Sequence, residues 1–231
     1  MKNTRAETKT ILITGASSGI GQSTAIEFAR HGYTLIITYK DNQRGIMDTQ
    51  RVCRKAGALS VYVARLHVTS DTSIDNLYRF CHKHVGQVDI LVNNAAVISW
   101  KTLEQQSDAE IDLQIKTNLV GLIKVTKKFL PIVSTAIVNV ASKMGKFTRP
   151  DLPVYCATKF AVRGFTQALA QAHPELLVCS VNPDLTATPM TNYKGRAPSD
   201  VSRIIYEVVS EKNIPSGSDV DVWSADHHPV S

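Results

Sequence analysis

Residues 9–21 read KTILITGASSGIG, a short apolar run that passes directly into a glycine-rich turn. The run at residues 9–13 predicts a buried strand, and Ile20, Ala25, Phe28 and Ala29 give the segment after the turn the apolar spacing of a helix. A strand, a glycine-rich turn and a helix in this order present backbone N–H groups and the positive end of a helix to a phosphate. The spacing is Gly-x-x-x-Gly-x-Gly, not the commoner Gly-x-Gly-x-x-Gly, so a turn that serves structure alone is the alternative.

Beyond this unit, apolar runs of strand length alternate with segments of helical periodicity. Strands are predicted at residues 34–39, 60–68, 88–93, 135–141, 176–181 and 219–223, and helices at 19–31, 44–56, 73–85, 107–129, 154–172 and 198–211. The alternation predicts an α/β fold, a doubly wound parallel sheet of the Rossmann type with helices on both faces. We expect a single domain over residues 1–231, with a nucleotide-binding half at about 9–140 and a catalytic and substrate half at about 141–231.

Polar or turn-forming residues follow four of the predicted strands. Gly15, Asn93, Ser142 and Pro183 each come at or just after the end of a strand. Because ligands of open α/β sheets bind outside the carboxyl ends of the strands, we expect these residues to converge on one edge.

Tyr155 and Lys159 are four residues apart, so a helix would place both side chains on one face. A nearby ammonium favours the phenolate, and we therefore expect the pKa of Tyr155 to be lowered in a partly dry cleft. The pair alone is equally typical of an ordinary helix face.

Three motifs occur together along the chain: the turn at residues 14–21, NNAA at residues 93–96, and Ser142 thirteen positions before Tyr155. Together they make the chain resemble the classical short-chain dehydrogenase/reductase family from residue 10 to about residue 223. The joint pattern is more specific than any one motif.

The resemblance implies a catalytic set of Asn118, Ser142, Tyr155 and Lys159. Ser142 would orient and polarise a carbonyl, and Tyr155 would act as general acid or base. Lys159 would lower the pKa of the tyrosine and bind the nicotinamide ribose, while Asn118 would hold a water molecule linked to the lysine.

The resemblance also implies a set of contacts to a dinucleotide. These are Gly15, Ser17, Ser18, Gly19, Ile20, Gly21, Tyr39, Lys40, His67, Val68, Asn94, Ala95, Tyr155, Lys159, Pro183, Thr186 and Thr188.

The end of the second predicted strand bears on the choice of cofactor. An acid at this place would bind the ribose 2′-hydroxyl and repel a 2′-phosphate, but Tyr39 and Lys40 stand here. A cation suits a phosphate, which favours NADP(H) over NAD(H), with Arg44 as a second candidate contact. Use of both cofactors is the alternative.

Two residues depart from the family pattern near this cofactor. His67 stands where an aspartate usually contacts adenine, and Asp184 stands where a glycine usually follows Pro183. The adenine contact is therefore in doubt, and a negative charge near the nicotinamide is expected to affect substrate preference or cofactor binding.

The pattern as a whole predicts an oxidoreductase that transfers a hydride between NADP(H) and a small-molecule carbonyl or secondary alcohol. We expect the substrate pocket to be mostly apolar and lined by Val97, Ile98, Trp100, Met144, Phe147, Met190 and Tyr193. The alternative is a regulator or scaffold that binds NADP(H) without turnover.

Composition limits the remaining possibilities. The chain has 231 residues, a formal net charge of +6 and four cysteines without metal-type spacing, so we expect no metal site. The basic residues are dispersed, which argues against nucleic acid, and no apolar stretch is long enough to span a membrane. Residues 1–7 lack the apolar core of a signal peptide, which favours a cytoplasmic protein. The resemblance implies a homotetramer or homodimer that pairs the helices at 107–129 and 154–172.

Overall fold

A seven-stranded parallel sheet forms the centre of the computed structural model within the residues that it describes, 9–211 and 214–227. The strand order is β3-β2-β1-β4-β5-β6-β7, which confirms the predicted doubly wound sheet. The strands are β1 (Thr10–Ile13), β2 (Thr34–Tyr39), β3 (Ser60–Arg65), β4 (Val88–Asn93), β5 (Val133–Val140), β6 (Leu177–Asn182) and β7 (Asp219–Asp221). Residues 1–7, on which the expected location depends, lie outside the described part of the chain.

Helices cover both faces of the sheet, and this explains the nearly continuous apolar runs of the strands. On β1, Ile11 and Ile13 pack toward Phe28 on one face, whereas Leu12 packs toward Leu77 and Phe129 on the other. The helices are α1 (Gly19–Arg30), α2 (Gln43–Ala56), α3 (Asp71–His84), α4 (Asp108–Ile115), α5 (Leu122–Phe129), α6 (Pro153–Ala172) and α7 (Pro198–Glu211).

The helix predicted at residues 107–129 is not continuous. A π-helical turn at Lys116–Gly121 separates α4 from α5. Asn118 in this turn is buried, and its side chain bonds to the backbone of Val97. Apolar periodicity did not reveal the extra residue of a π turn, a feature that is frequent at functional sites.

Strands β3 and β7 end three and two residues earlier than predicted. The ladder of β3 stops after Arg65, because the N–H of His67 turns away to the hydroxyl of Ser73 at 2.9 Å. Strand β7 stops at Asp221, and a 3₁₀ turn follows at Val222–His227.

The carboxyl ends of the strands meet at one edge, as expected. The N–H of Thr14 after β1 donates to Val92 O of β4 at 3.0 Å. Likewise, the N–H of Lys143 after β5 donates to Pro183 O after β6 at 2.7 Å. The strand order reverses between β1 and β4, where open α/β sheets leave a crevice for ligands.

Candidate active site

A cavity of about 450 Å³ lies along this edge of the sheet. It brings together most of the residues that the motifs singled out. Those that line it are Gly15, Ser17, Ser18, Gly19, Ile20, Tyr39, Lys40, His67, Val68, Asn94, Ala95, Ser142, Tyr155, Lys159, Pro183, Thr186 and Thr188. Gly21 and Asn118 do not line it.

The glycine-rich turn forms one wall of the cavity. Gly15 and Gly19 have φ angles of 69° and 59°, which favour glycine. A Cβ on Gly19 would lie 2.9 Å from the Thr188 side chain, so the turn and the opposite wall approach closely. Ser18 at the N-cap of α1 makes no side-chain capping bond, which leaves the first turn of the helix suited to an anionic ligand.

Asn94 holds the turn in place from behind. Its Nδ2 donates to the carbonyl oxygens of Thr14 and Gly15, both at 2.9 Å. A Cβ on Gly21 would lie 2.4 Å from this amide nitrogen. Gly21 therefore makes room for the Asn94 side chain, and its contact with a cofactor stays a prediction.

Ser142, Tyr155 and Lys159 form the reactive end of the cavity, and they are 9, 8 and 3% exposed. Tyr155 and Lys159 lie one helical turn apart on α6, as predicted. Lys159 Nζ donates to Val140 O at 2.8 Å and lies 5.6 Å from the centroid of the Tyr155 ring. The β5 backbone thus holds the ammonium beside the ring.

The expected lowering of the pKa of Tyr155 is wrong for this structure. Burial raises the pKa of Tyr155 to about 12, although a hydrogen bond from Ser142 acts in the opposite direction. Burial also lowers the pKa of Lys159 to about 8. The cause is that both groups lose hydration, which penalises the phenolate and the ammonium alike.

Asn118 lies behind the cavity. Its Oδ1 accepts from Val97 N, and its Nδ2 donates to Val97 O, both at 2.8 Å. The same nitrogen lies 3.3 Å from Thr158 Oγ1 on α6. Asn118 therefore ties the π turn to the 97–99 segment and to the helix that carries Tyr155.

The opposite end of the cavity is charged and exposed. Asp41 lies between three basic side chains: its carboxylate oxygens are 3.6 Å from Lys40 Nζ, 3.2 Å from an Arg65 nitrogen and 4.0 Å from His67 Nε2. Sequence analysis missed Arg65. Its signal was the parallel register that pairs Arg65 with Tyr39. We call Lys40, Asp41, Arg65 and His67 the adenosine-end cluster.

Asp184 forms an ion pair that sequence analysis did not anticipate. Arg196 Nε lies 3.0 Å from one oxygen of the Asp184 carboxylate, and a terminal nitrogen lies 3.3 Å from the other. Backbone bonds also join Arg196 to Leu185 and Ala187. Residues 184–196 thus form a short closed loop.

The predicted apolar pocket is only partly present. Val97 and Met190 line the cavity, whereas Ile98 and Met144 pack against a cluster of Leu152, Tyr155 and Cys156. The other predicted residues, Trp100, Phe147 and Tyr193, are exposed. Trp100 Nε1 nevertheless donates to Met190 O at 3.1 Å and so bridges two of the surrounding loops.

Arg163 on α6 supports the loop that follows Ser142. It donates to Gly145 O and forms a two-pronged ion pair with Asp219 of β7. Lys146 binds Asp221 at 2.7 Å. The loop is therefore held from α6 and from β7, which the motifs did not predict.

Two absences within residues 9–211 and 214–227 bear on other classes of site. No group of three or more His, Cys, Asp or Glu side chains there could hold a metal ion. No helix in the same ranges is long and apolar enough to cross a membrane.

Comparison with known proteins gives consistent matches. The short chain dehydrogenase family matches residues 9–198. 17-Beta-hydroxysteroid dehydrogenase 13 of Mus musculus is 39% identical over 165 residues, which cover 70% of this chain and 54% of that protein. 3-Oxoacyl-(acyl-carrier-protein) reductase FabG of Staphylococcus epidermidis is 32% identical over 193 residues, 80% of this chain and 78% of that protein. The chain spans about half the length of the steroid dehydrogenases that it matches.

Solved structures agree on the fold. A dehydrogenase/reductase from Sinorhizobium meliloti 1021 matches with a TM-score of 0.86 and 22% identity over 92% of both chains. Landomycin C-6 ketoreductase LanV with bound NADP and rabelomycin matches with a TM-score of 0.85 and 22% identity, over 93% of this chain and 94% of that one.

Proposed function

The chain belongs to the short-chain dehydrogenase/reductase family, and we propose that it transfers a hydride between NADP(H) and a small-molecule carbonyl or secondary alcohol. The observation that carries the proposal is that one cavity contains both a phosphate-binding type of turn and a group of buried polar side chains. A glycine-rich turn at a helix N-terminus forms one part, and the buried Ser142, Tyr155 and Lys159 form another.

The residues present suit a dinucleotide. The close approach of Gly19 to Thr188 leaves no room for a Cβ, and the uncapped start of α1 suits a pyrophosphate. Lys159 would bind the ribose hydroxyls. Thr186 and Thr188 would bind the dinucleotide from the opposite wall. A bound nicotinamide supplies the hydride.

Tyr155 would supply the proton for carbonyl reduction. With a pKa raised to about 12, the phenol keeps its proton at neutral pH, as a general acid requires. Ser142 and Tyr155 would donate to the carbonyl oxygen as negative charge develops there. In the oxidative direction Tyr155 would act as the general base, for which it must first lose its proton.

Preference for NADP(H) would come from the adenosine-end cluster. Lys40 lines the end of the cavity where a ribose phosphate would lie, and Arg65 offers a second cation beside that lining, because both side chains pair with the Asp41 carboxylate. The bound NADP in the ketoreductase of the same fold supports this choice.

Titration of NADPH against NADH tests the proposal. We expect wild type to bind NADPH more tightly than NADH. Lys40→Ala and Arg65→Ala should each lower the affinity for NADPH about three- to tenfold and have little effect on the affinity for NADH. Lys55→Ala removes an exposed lysine outside the cavity and is the matched control. Equal binding of both cofactors would remove the NADP(H) preference, and binding of neither would remove the oxidoreductase assignment.

Assembly, location and substrate complete the proposal. Ile115, Val120 and Phe160 are exposed on α4, the π turn and α6, which supports a homodimer or homotetramer that pairs these helices. Sedimentation at micromolar concentration tests this assembly, and a species of about 25 kDa would contradict it.

A cytoplasmic location is likewise proposed. The names of the relatives make hydroxysteroids and 3-oxoacyl compounds the first substrates to screen.

A further inference from the structure

Asp184 puts a negative charge on the wall of the cavity at its reactive end. Among the described residues that line the cavity, the acids are Asp41 and Asp184. Asp41 belongs to the adenosine-end cluster. Asp184 follows Pro183, whose carbonyl accepts from Lys143 N at 2.7 Å, so Asp184 lies beside the loop of Ser142.

Arg196 lies on the other side of this carboxylate. It binds both oxygens of Asp184, but it does not line the cavity. The side chains of Asp184 and Arg196 are 24 and 17% exposed, respectively, so solvent screens the pair incompletely. Asp184 is therefore the member of the pair that belongs to the cavity wall, and the guanidinium that neutralises it belongs to a residue outside the lining.

The charge of a nicotinamide ring depends on its redox state. The ring is cationic in NADP⁺ and neutral in NADPH, and it must lie near Tyr155 and Ser142 if these groups act on the carbonyl. A carboxylate on the same part of the wall attracts only the cationic form. The buried ammonium of Lys159 acts in the opposite direction and is common to all variants considered below.

We propose that Asp184 strengthens the binding of the oxidised cofactor relative to the reduced one, and that Arg196 limits this bias. The inference rests on the proposed function. It makes the Asp184–Arg196 pair a device that sets the redox balance of the bound cofactor, in addition to its contact across the loop.

The test is the ratio of dissociation constants for NADP⁺ and NADPH, measured by titration without turnover. Asp184→Asn leaves the guanidinium unopposed, and we expect the NADP⁺/NADPH ratio to rise about three- to tenfold. Arg196→Gln leaves the carboxylate unopposed, and the ratio should fall. The double variant should lie between the two. A tenfold change corresponds to about 30 mV in the potential of a two-electron couple.

A purely structural role predicts a different outcome. If the pair only holds the loop, both single variants loosen the same loop, and both cofactor forms weaken together. Shifts of the ratio in one common direction, or no shift, would overturn the inference.

Two controls keep the test interpretable. Arg149 and Asp151 form a similar two-pronged pair at 2.9 Å outside the cavity, so Arg149→Gln should leave the ratio unchanged. Arg196→Lys keeps the charge and should stay near wild type, and a large shift in it would contradict the inference; if Arg196→Gln does not fold, the rise expected for Asp184→Asn decides the test. Wild type that binds neither form would overturn the proposed function as well, whereas binding with an invariant ratio would overturn this inference alone.

Discussion

The two ends of the cavity contrast in how the protein treats its charged groups. Lys159 at the reactive end is 3% exposed, and its ammonium is held by one backbone carbonyl. At the adenosine end the side chains of Lys40, Asp41 and Arg65 are 57, 63 and 61% exposed. Their charges are balanced by one another and by solvent.

This difference determines what each end can do. Burial shifts the pKa values of Tyr155 and Lys159 strongly, because neither ion is hydrated. Exposed ion pairs contribute little each, about 0–1 kcal/mol, so the adenosine end acts through the number of its charges. We therefore expect single substitutions to have large effects at the reactive end and graded effects at the other.

The largest effect is expected for Tyr155→Phe. Loss of the phenol removes the general acid, and we expect kcat for carbonyl reduction to fall about 10²–10⁴-fold. Cofactor affinity should change little, because Lys159 and the glycine-rich turn remain. Steady-state kinetics and cofactor titration on one preparation measure both. A variant that keeps its turnover would show that Tyr155 is not the general acid, whereas wild type without turnover would support the alternative of a non-catalytic regulator.

Sequence patterns predicted the sheet and most of the cavity wall for physical reasons. Strands buried on both faces are apolar throughout, and a helix places residues four apart on one face, so the strands and the Tyr155–Lys159 pair were both visible in one sequence. The π turn at Lys116–Gly121 was not visible there, and the bond that Asn118 in this turn makes to the backbone of Val97 joins residues far apart in the sequence.

What sequence could not predict depends on packing between distant segments. Arg65 joins the adenosine end through strand register, and Arg196 meets Asp184 through closure of a loop. The pKa of Tyr155 depends on the burial of its phenol, and the position of the Lys159 ammonium depends on its bond to Val140 O. A motif names the two residues without specifying either property.

Lys159→Met tests the cost of burying a charge. The pKa of Lys159 is about 8 in the folded protein against 10.5 in its ordinary state. Between these values the unfolded chain binds a proton that the folded chain lacks, so stability rises with pH. The free energy of unfolding of wild type should therefore gain about 3 kcal/mol over Lys159→Met across this range.

Urea unfolding at several pH values between about 7 and 10 measures this difference. Lys55→Met, at an exposed lysine, should instead follow wild type at every pH. Parallel curves for wild type and Lys159→Met would mean that Lys159 is hydrated in solution.

Arg163→Gln should have a smaller effect, since Arg163 acts on the Ser142 loop from outside the cavity. Loss of its bonds to Gly145 and Asp219 should misplace Ser142, with about a tenfold fall in kcat and little change in KM. Arg203→Gln, in an exposed pair with Glu207, is the control. A fall in stability with kcat intact would leave Arg163 a structural role only.

The smallest effect is expected for Asp41→Asn at the adenosine end. The Asp41 carboxylate lies within 3.6 Å of Lys40 and 3.2 Å of Arg65, the groups that would meet a 2′-phosphate. Removing this competing charge should raise the affinity for NADPH about two- to fivefold and leave the affinity for NADH unchanged. This gain in affinity should become smaller at higher salt, because salt screens the exposed cluster. Asp48 forms an exposed ion pair with Arg51 outside the cavity, so Asp48→Asn should leave the affinity for both cofactors unchanged. Equal tightening of NADPH and NADH would mean that Asp41 acts on a part common to both dinucleotides, and the contrast between the two ends would then not extend to the 2′-phosphate.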